Sequence, residues 1–222
     1  MLCIIPARLN SKRLPNKHMI NILGINLLDR VYNQVKKSRL ISRVVVAIPD
    51  DDKNIPLEIY LKSRKIKYFK GSLNNLSKRI FDLLQVFKCK FFLRVNGDSP
   101  LIDYRLINHC IKIFKKKNCD VLTNALPRSF PKGQSVEIIK TSLFIKNFKK
   151  VKTKYDLEHI FPYYYKNRKK FKIFNVFCKK NLSQFNFCID KKSDVKKITK
   201  ILVKLKKKKI FLENLVGKKN LY

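Results

Sequence analysis

The residues best suited to chemistry crowd into the first seventeen positions, MLCIIPARLNSKRLPNK. Arg8, Lys12, Arg13 and Lys17 place four cations in this stretch, with Asn10, Ser11 and Asn16 between them. Cations beside small hydrogen-bonding side chains suit a polyphosphate, which packs several charged oxygens into a small volume. A second group is Asn96-Gly97-Asp98-Ser99-Pro100. A carboxylate beside a glycine suits a divalent cation on a triphosphate, or equally a plain turn. Ser77 and Arg79 fall in the first turns of an expected helix, where amides and dipole favour an anion; Arg79 reads equally well as a surface residue. Asp50, Asp51 and Asp52 read as caps of a following helix rather than metal ligands. His18 and His109 read as structural or exposed. No G-x-x-x-x-G-K-[ST] occurs, so the phosphate chemistry is not that of a Walker loop.

These groups need elements to position them. Leu2–Ile5, Arg43–Ile48 and Phe91–Val95 are short apolar runs with the length of buried strands, and Pro6 ends the first. Lys67–Phe69 and Cys119–Thr123 read as further strands. Helical spacing covers Leu27–Lys37, Pro56–Lys65, Asn75–Phe87 and Asp103–Lys116. The alternation over residues 1–125 predicts a right-handed, mostly parallel α/β sheet with helices on both faces. Such sheets hold ligands beyond the carboxyl ends of their strands, where the cation loop and Asp98 fall. After Pro127 the pattern changes. Gln134–Ile139 and Phe171–Phe177 read as strands, Thr141–Lys149 and Asp156–Lys166 as short helices. Phe185–Asp190 reads as a last, returning strand, and Val195–Leu205 as a helix capped by Asp194.

Composition narrows the classes. The 222 residues suffice for one substantial core and a single domain. A net charge of +37 suggests a polyanion partner such as RNA, DNA or an anionic membrane. Yet Lys far outnumbers Arg, Trp is absent and Gly is down to five, which is the drift of A/T-rich coding sequence rather than a dedicated nucleic-acid surface. The six cysteines form no CxxC pair, which argues against zinc or a disulfide framework and for a reducing cytoplasm. No signal-peptide pattern or membrane-length apolar run is evident. The run Lys204 and Lys206–Lys209 reads as a solvated helix face, with membrane contact the weaker alternative.

Three segments carry a family resemblance. Ala7, Arg8, Ser11, Arg13, Leu14, Pro15 and Lys17 match A-R-x-x-S-x-R-[LF]-P-x-K after a strand; Arg94, Gly97, Asp98, Pro100, Leu101 and Asp103 match R-x-x-G-D-x-P-L-[IV]-D; Ile189, Asp190, Asp194 and Val195 match [VI]-D-x-x-x-D-[LV]. The chain resembles the sugar cytidylyltransferases of the spore-coat polysaccharide and deoxy-octulosonate or acylneuraminate type. The resemblance implies a Rossmann-like sheet of the nucleotide-diphospho-sugar transferase kind: a nucleotide-binding core to residue 125, an acceptor lid and dimer arm over 126–180, then a return strand and basic helix over 181–222. It implies transfer of CMP from CTP to a sugar acid, with release of pyrophosphate, by a cytoplasmic homodimer. Arg8, Arg13 and Lys17 would act on the phosphates; Ala7, Ser11, Gly71, Ser72, Arg79 and Gly97 would complete the nucleotide site; Asp98 and Asp190 would hold Mg²⁺. Asp103 and Asp194 are better read as helix caps. The thinner match of PRSFPKGQSVEII and Leu157-Glu158-His159 assigns Gly133, Glu137, Glu158 and His159 to the acceptor, with His159 equally readable as a helix residue of the arm. Gln134 and Ser135 depart from the pattern and leave the acceptor open. The alternatives are a transferase of another nucleotide, a non-catalytic nucleotide-binding relative, or a nucleic-acid binder; three intact motifs oppose the second, and the lack of an arginine-rich aromatic platform opposes the third.

Overall fold

The computed structural model describes residues 1–205 and 208–222. Its strands are β1 (Leu2–Pro6), β2 (Asn21–Ile22), β3 (Ile25–Asn26), β4 (Arg43–Pro49), β5 (Tyr68–Gly71), β6 (Phe91–Arg94), β7 (Val121–Thr123), β8 (Glu137–Lys140) and β9 (Ile173–Asn175). The helices are α1 (Leu27–Lys36), α2 (Ile55–Ser63), α3 (Leu76–Val86), α4 (Tyr104–Lys117), α5 (Thr141–Asn147), α6 (Lys154–Glu158), α7 (Pro162–Lys166), α8 (Lys192–Leu205) and α9 (Leu212–Val216). Seven strands form one sheet in the order β5-β4-β1-β6-β8-β7-β9. All run parallel except β8, which is antiparallel to both neighbours. The chain leaves β1 toward β4 and later returns to β1's other side at β6, so a crevice opens between these two strand ends.

Successive residues of a strand face opposite sides. Cys3, Ile5, Val44, Val46 and Leu93 therefore pack under α1, α2 and α4, while Leu2, Ile4, Val45, Ala47 and Phe92 pack under α3, α5 and α7. Burial on both faces is why these strands read as unbroken apolar runs. The connections through α1 and α2 step one way across the sheet on the first face, and α3 steps back on the second; all three share one hand. The β6–α4–β7 connection steps the same way as α3 but lies on the first face, so its hand is opposite. The expectation of a uniformly right-handed sheet fails there.

Local chemistry sets the helix starts. Asn75 accepts from the Lys78 N–H at 2.8 Å, Asp103 from that of Arg105 at 2.8 Å, and Asp51 from that of Asn54 at 3.2 Å. Asp194, expected as the N-cap of a helix from Val195, instead lies inside the first turn of α8, which starts at Lys192, and reaches back to accept from the N–H groups of Asp190 and Lys191, both at 3.0 Å.

Three expected elements differ. Phe185–Asp190 is an extended strap outside the sheet. Phe187 and Ile189 turn inward with strand periodicity, but the backbone partners are loops: Lys132 on one side and Asp98 O, which accepts the Ile189 N–H at 2.9 Å, on the other. The strand from Gln134 begins only at Glu137, because side chains intercept the earlier backbone: Asn124 donates to Gln134 O and accepts from the Val136 N–H. The helix expected over Asp156–Lys166 is broken into α6 and α7 at Ile160, whose φ is 20°. Within residues 126–180, β8 and β9 belong to the main sheet. Lys204 is exposed, whereas Lys206 and Lys207 of the lysine run lie outside the described residues. All six cysteines are free, and among the described residues no helix is long and apolar enough to cross a membrane.

Candidate active site

A cleft of about 980 Å³ opens at the carboxyl ends of β1 and β6. The loop after β1 forms one wall, and its shape is held by its own backbone. Ser11 N–H and Asn16 N–H both donate to Leu9 O, at 2.9 and 2.8 Å. Leu9 and Leu14 are buried as apolar anchors. Asn54, from the turn after β4, accepts the Leu9 N–H at 2.8 Å. With the loop pinned this way, Arg8, Lys12, Arg13 and Lys17 all line the cleft, together with Ala7, Asn10 and Ser11.

Lys17 is the centre of the charge arrangement. Its ammonium donates to Asp98 at 2.9 Å, to Asp190 at 3.3 Å and to Ile189 O at 3.3 Å. The strap is what delivers Asp190 there, since Ile189 is tied to the Asp98 backbone. Arg13 reaches Asp190 as well, at 2.9 Å, yet its side chain stays 73% exposed against 11% for Lys17. Arg8 crosses the cleft to Glu158 at 2.6 Å. Burial pushes the Glu158 carboxyl up, but the Arg8 hydrogen bond and charge outweigh it and leave it below its ordinary value.

Two carboxylates turned toward one cation are a hard-oxygen donor pair. Among the described residues, no group of three or more His, Cys, Asp or Glu side chains could hold a metal. The oxygen pair itself is of the kind that Mg²⁺ accepts, since that ion takes one or two carboxylates and completes its shell with phosphate and water. Asp98 and Asp190 therefore fit such an ion arriving with a phosphate, once Lys17 turns off them.

Gly97 is required by close approach. A Cβ there would lie 2.6 Å from Pro6 O and 2.9 Å from His18 Nε2. His18, read from sequence as structural or exposed, is a buried residue of the cleft wall. Its Nδ1 sits 2.8 Å from Arg8 O. Burial first, and the Lys17 charge second, lower its pKa to about 4. His109 lies outside the cleft, against the Tyr222 ring.

Arg79 lines the cleft but spends its donors on backbone: Ser72 O at 2.9 and 2.7 Å, Leu73 O at 3.2 Å and Ala47 O at 3.3 Å. Burial, then the nearby Arg8 charge, lowers it to about 10. Gly71 makes room for it, since a Cβ would meet Arg79 Cγ at 2.9 Å. Gly71 and Ser72 themselves are off the cleft, which is lined instead by Leu73 and Asn74. Gly133 is also remote: with φ of +90° it makes the turn packed on the Phe187 backbone. Glu137 stands one layer back. It pairs with Arg94 at 2.5 Å and accepts from Tyr165 OH at 2.5 Å. Arg94, over the Phe161 ring at 5.4 Å, is the group that faces the cleft. Glu158 and His159 line the cleft directly. Burial and then Arg94 hold His159 below its usual pKa. Arg94 and His18 were not assigned to the site; for Arg94 the signal was there, as the first matched residue of R-x-x-G-D-x-P-L-[IV]-D.

The cation loop and the paired aspartates are brought together on one sheet edge, and the comparison with known families agrees. The family model described as cytidylyltransferase matches residues 2–219. The chain belongs to the cytidylyltransferase family. A 3-deoxy-manno-octulosonate cytidylyltransferase of Bdellovibrio bacteriovorus is 30% identical over 138 residues, 62% of this chain and 55% of that protein. The spore coat polysaccharide biosynthesis protein SpsF of Bacillus subtilis is 28% identical over 152 residues, 65% of this chain and 61% of that one. The chain thus aligns with little more than half the length of these relatives. A solved cytidylyltransferase of Leptospira borgpetersenii serovar Hardjo-bovis superposes with a TM-score of 0.88 at 27% identity, covering 97% of this chain and 90% of that one.

Proposed function

We propose that this cytidylyltransferase transfers CMP from CTP to a sugar acid, with release of pyrophosphate, and that it does so with Mg²⁺. The observation that carries the reading is Lys17, held between Asp98 and Asp190 at the foot of the cation loop. An ammonium clasped by two carboxylates is poised to exchange partners: phosphate oxygens take the cation, and the carboxylates are left for the divalent ion. In this reading Arg8, Arg13 and Lys17 hold the β- and γ-phosphates, while Ser11, Ala7 and Gly97, which line the cleft, accommodate the rest of the nucleotide. Asp98 and Asp190 hold Mg²⁺, which supplies charge neutralisation at the α-phosphate and acidifies the attacking hydroxyl when bound.

The acceptor enters from the side of Glu158, His159 and Arg94. Its hydroxyl oxygen forms a bond to the α-phosphorus in line with the bond that breaks to pyrophosphate, and the hydroxyl proton passes to solvent. The protein's part is positioning and neutralisation of the departing pyrophosphate by the first-loop cations.

The test is a thermal-shift panel of CTP, UTP, GTP, ATP and dTTP, with and without Mg²⁺, followed by pyrophosphate release with candidate sugar acids. A real site near 100 Kd adds about 2.7 kcal/mol of stability. A Mg²⁺-dependent shift for CTP alone supports the donor; equal shifts for every nucleotide that fade with salt mean the basic surface is binding, and refute it.

A further inference from the structure

His18 is a polar group of the cleft wall that the transfer reaction leaves without a role. On one edge of the ring, Nδ1 lies 2.8 Å from Arg8 O and 3.3 Å from Arg8 N; the shorter contact is made when Nδ1 carries the proton and donates to Arg8 O, which leaves the lone pair on Nε2. On the other edge, a Cβ at Gly97 would come within 2.9 Å of Nε2 and 3.1 Å of Cδ2, so the ring rests against the Gly97 backbone. The imidazole therefore spans from the loop after β1 to the turn after β6. The residues adjoining its two ends in sequence, Lys17 and Asp98, form the 2.9 Å ion pair at the cleft floor. The other side-chain anchor of the first loop, Asn54, holds Leu9 N–H from the turn after β4 and has no part in this span.

We propose that, within the transfer reaction inferred above, His18 is a positioning residue: its ring sets the separation between the phosphate-holding cations of the first loop and the carboxylate of Asp98. Such a strut acts on the alignment of the reacting groups more than on nucleotide affinity, because the cations that bind phosphate remain in place without it.

The test compares His18→Ala, His18→Asn and His18→Gln with the wild-type chain for turnover, CTP KM and melting temperature. His18→Ala should lose about 10²-fold in kcat, the loss a misplacement of roughly 1 Å produces, while CTP KM changes less than about threefold. Asn carries an amide N–H near the Nδ1 position and should recover about tenfold or more of the loss; Gln carries its amide near Nε2 and should not. If His18→Ala does not fold, the Asn and Gln pair decides. Turnover of folded His18→Ala within about threefold of wild type overturns the proposal, as does equal recovery by Asn and Gln, which would reduce the ring to a space filler. A wild-type chain without turnover overturns the transfer reaction and the proposal with it; normal wild-type turnover beside an unaffected His18→Ala overturns the proposal alone.

Discussion

Acid should loosen this protein through His18. The imidazole is buried against Arg8 and beside Lys17, and its pKa falls from 6.5 to about 4. The sign follows from where the proton binds first. The unfolded chain takes it near pH 6.5 and the folded chain only near pH 4, so folding stability from this group is complete above pH 6.5 and drains as pH falls toward 4. At about 1.36 kcal/mol per pKa unit, the loss reaches about 2–3 kcal/mol by pH 4.5. For a chain of this size that corresponds to roughly 5–10 °C in Tm. Other groups titrate over the same range, so the measurement is a difference. Metal-free wild type and His18→Asn are unfolded with urea at pH 7.5 and pH 4.5, and the wild-type advantage should shrink by about 2–3 kcal/mol between them. A difference that stays constant over this range refutes a neutral, buried His18 and the packing that makes it so.

The ion pair behind the cleft gives a second prediction. Arg94 and Glu137 side chains are 10% and 7% exposed, so Glu137→Gln strands a buried guanidinium and should cost about 3 kcal/mol in urea unfolding; a cost below about 1 kcal/mol would mean water reaches the pair. Gly97→Ala drives a methyl group into Pro6 O and the His18 ring, and should both lower Tm and remove turnover, with an unchanged melt and activity counting against the close approach. Arg13→Ala, an exposed loop cation, should leave Tm within a degree or so and cut turnover by about 10²-fold, as loss of a transition-state donor does. Asp98→Asn should raise the Mg²⁺ concentration needed for half-maximal activity or abolish activity; an unaltered metal titration removes Asp98 from the metal site.

Much of this molecule was determined locally. The strands β1, β4 and β6 are buried on both faces, so their apolar runs stand out against the lysine-rich background, and the helices α1, α3 and α4 carry a clear apolar face. Caps at Asn75 and Asp103, and the back-reach of Asp194 from the first turn of α8, use side chains within a few residues of the groups they satisfy. The cation loop was legible because its charges and its positioning turns are contiguous. What only tertiary structure decided depends on groups far apart in the chain. Asp190 meets Lys17 because the strap of residues 185–190 pairs with loops, and strand periodicity alone cannot distinguish a strand's partner from a loop's. Glu137 was assigned to the acceptor but stands behind Arg94, since its place in β8 sets its carboxylate against a neighbouring strand rather than the cleft. Gly71 and Gly133 were assigned to binding, yet each serves a close backbone or side-chain approach that no linear spacing reveals. His18 looked incidental because a lone histidine has no pattern; its burial between Arg8 and Gly97 exists only once two strand ends lie side by side.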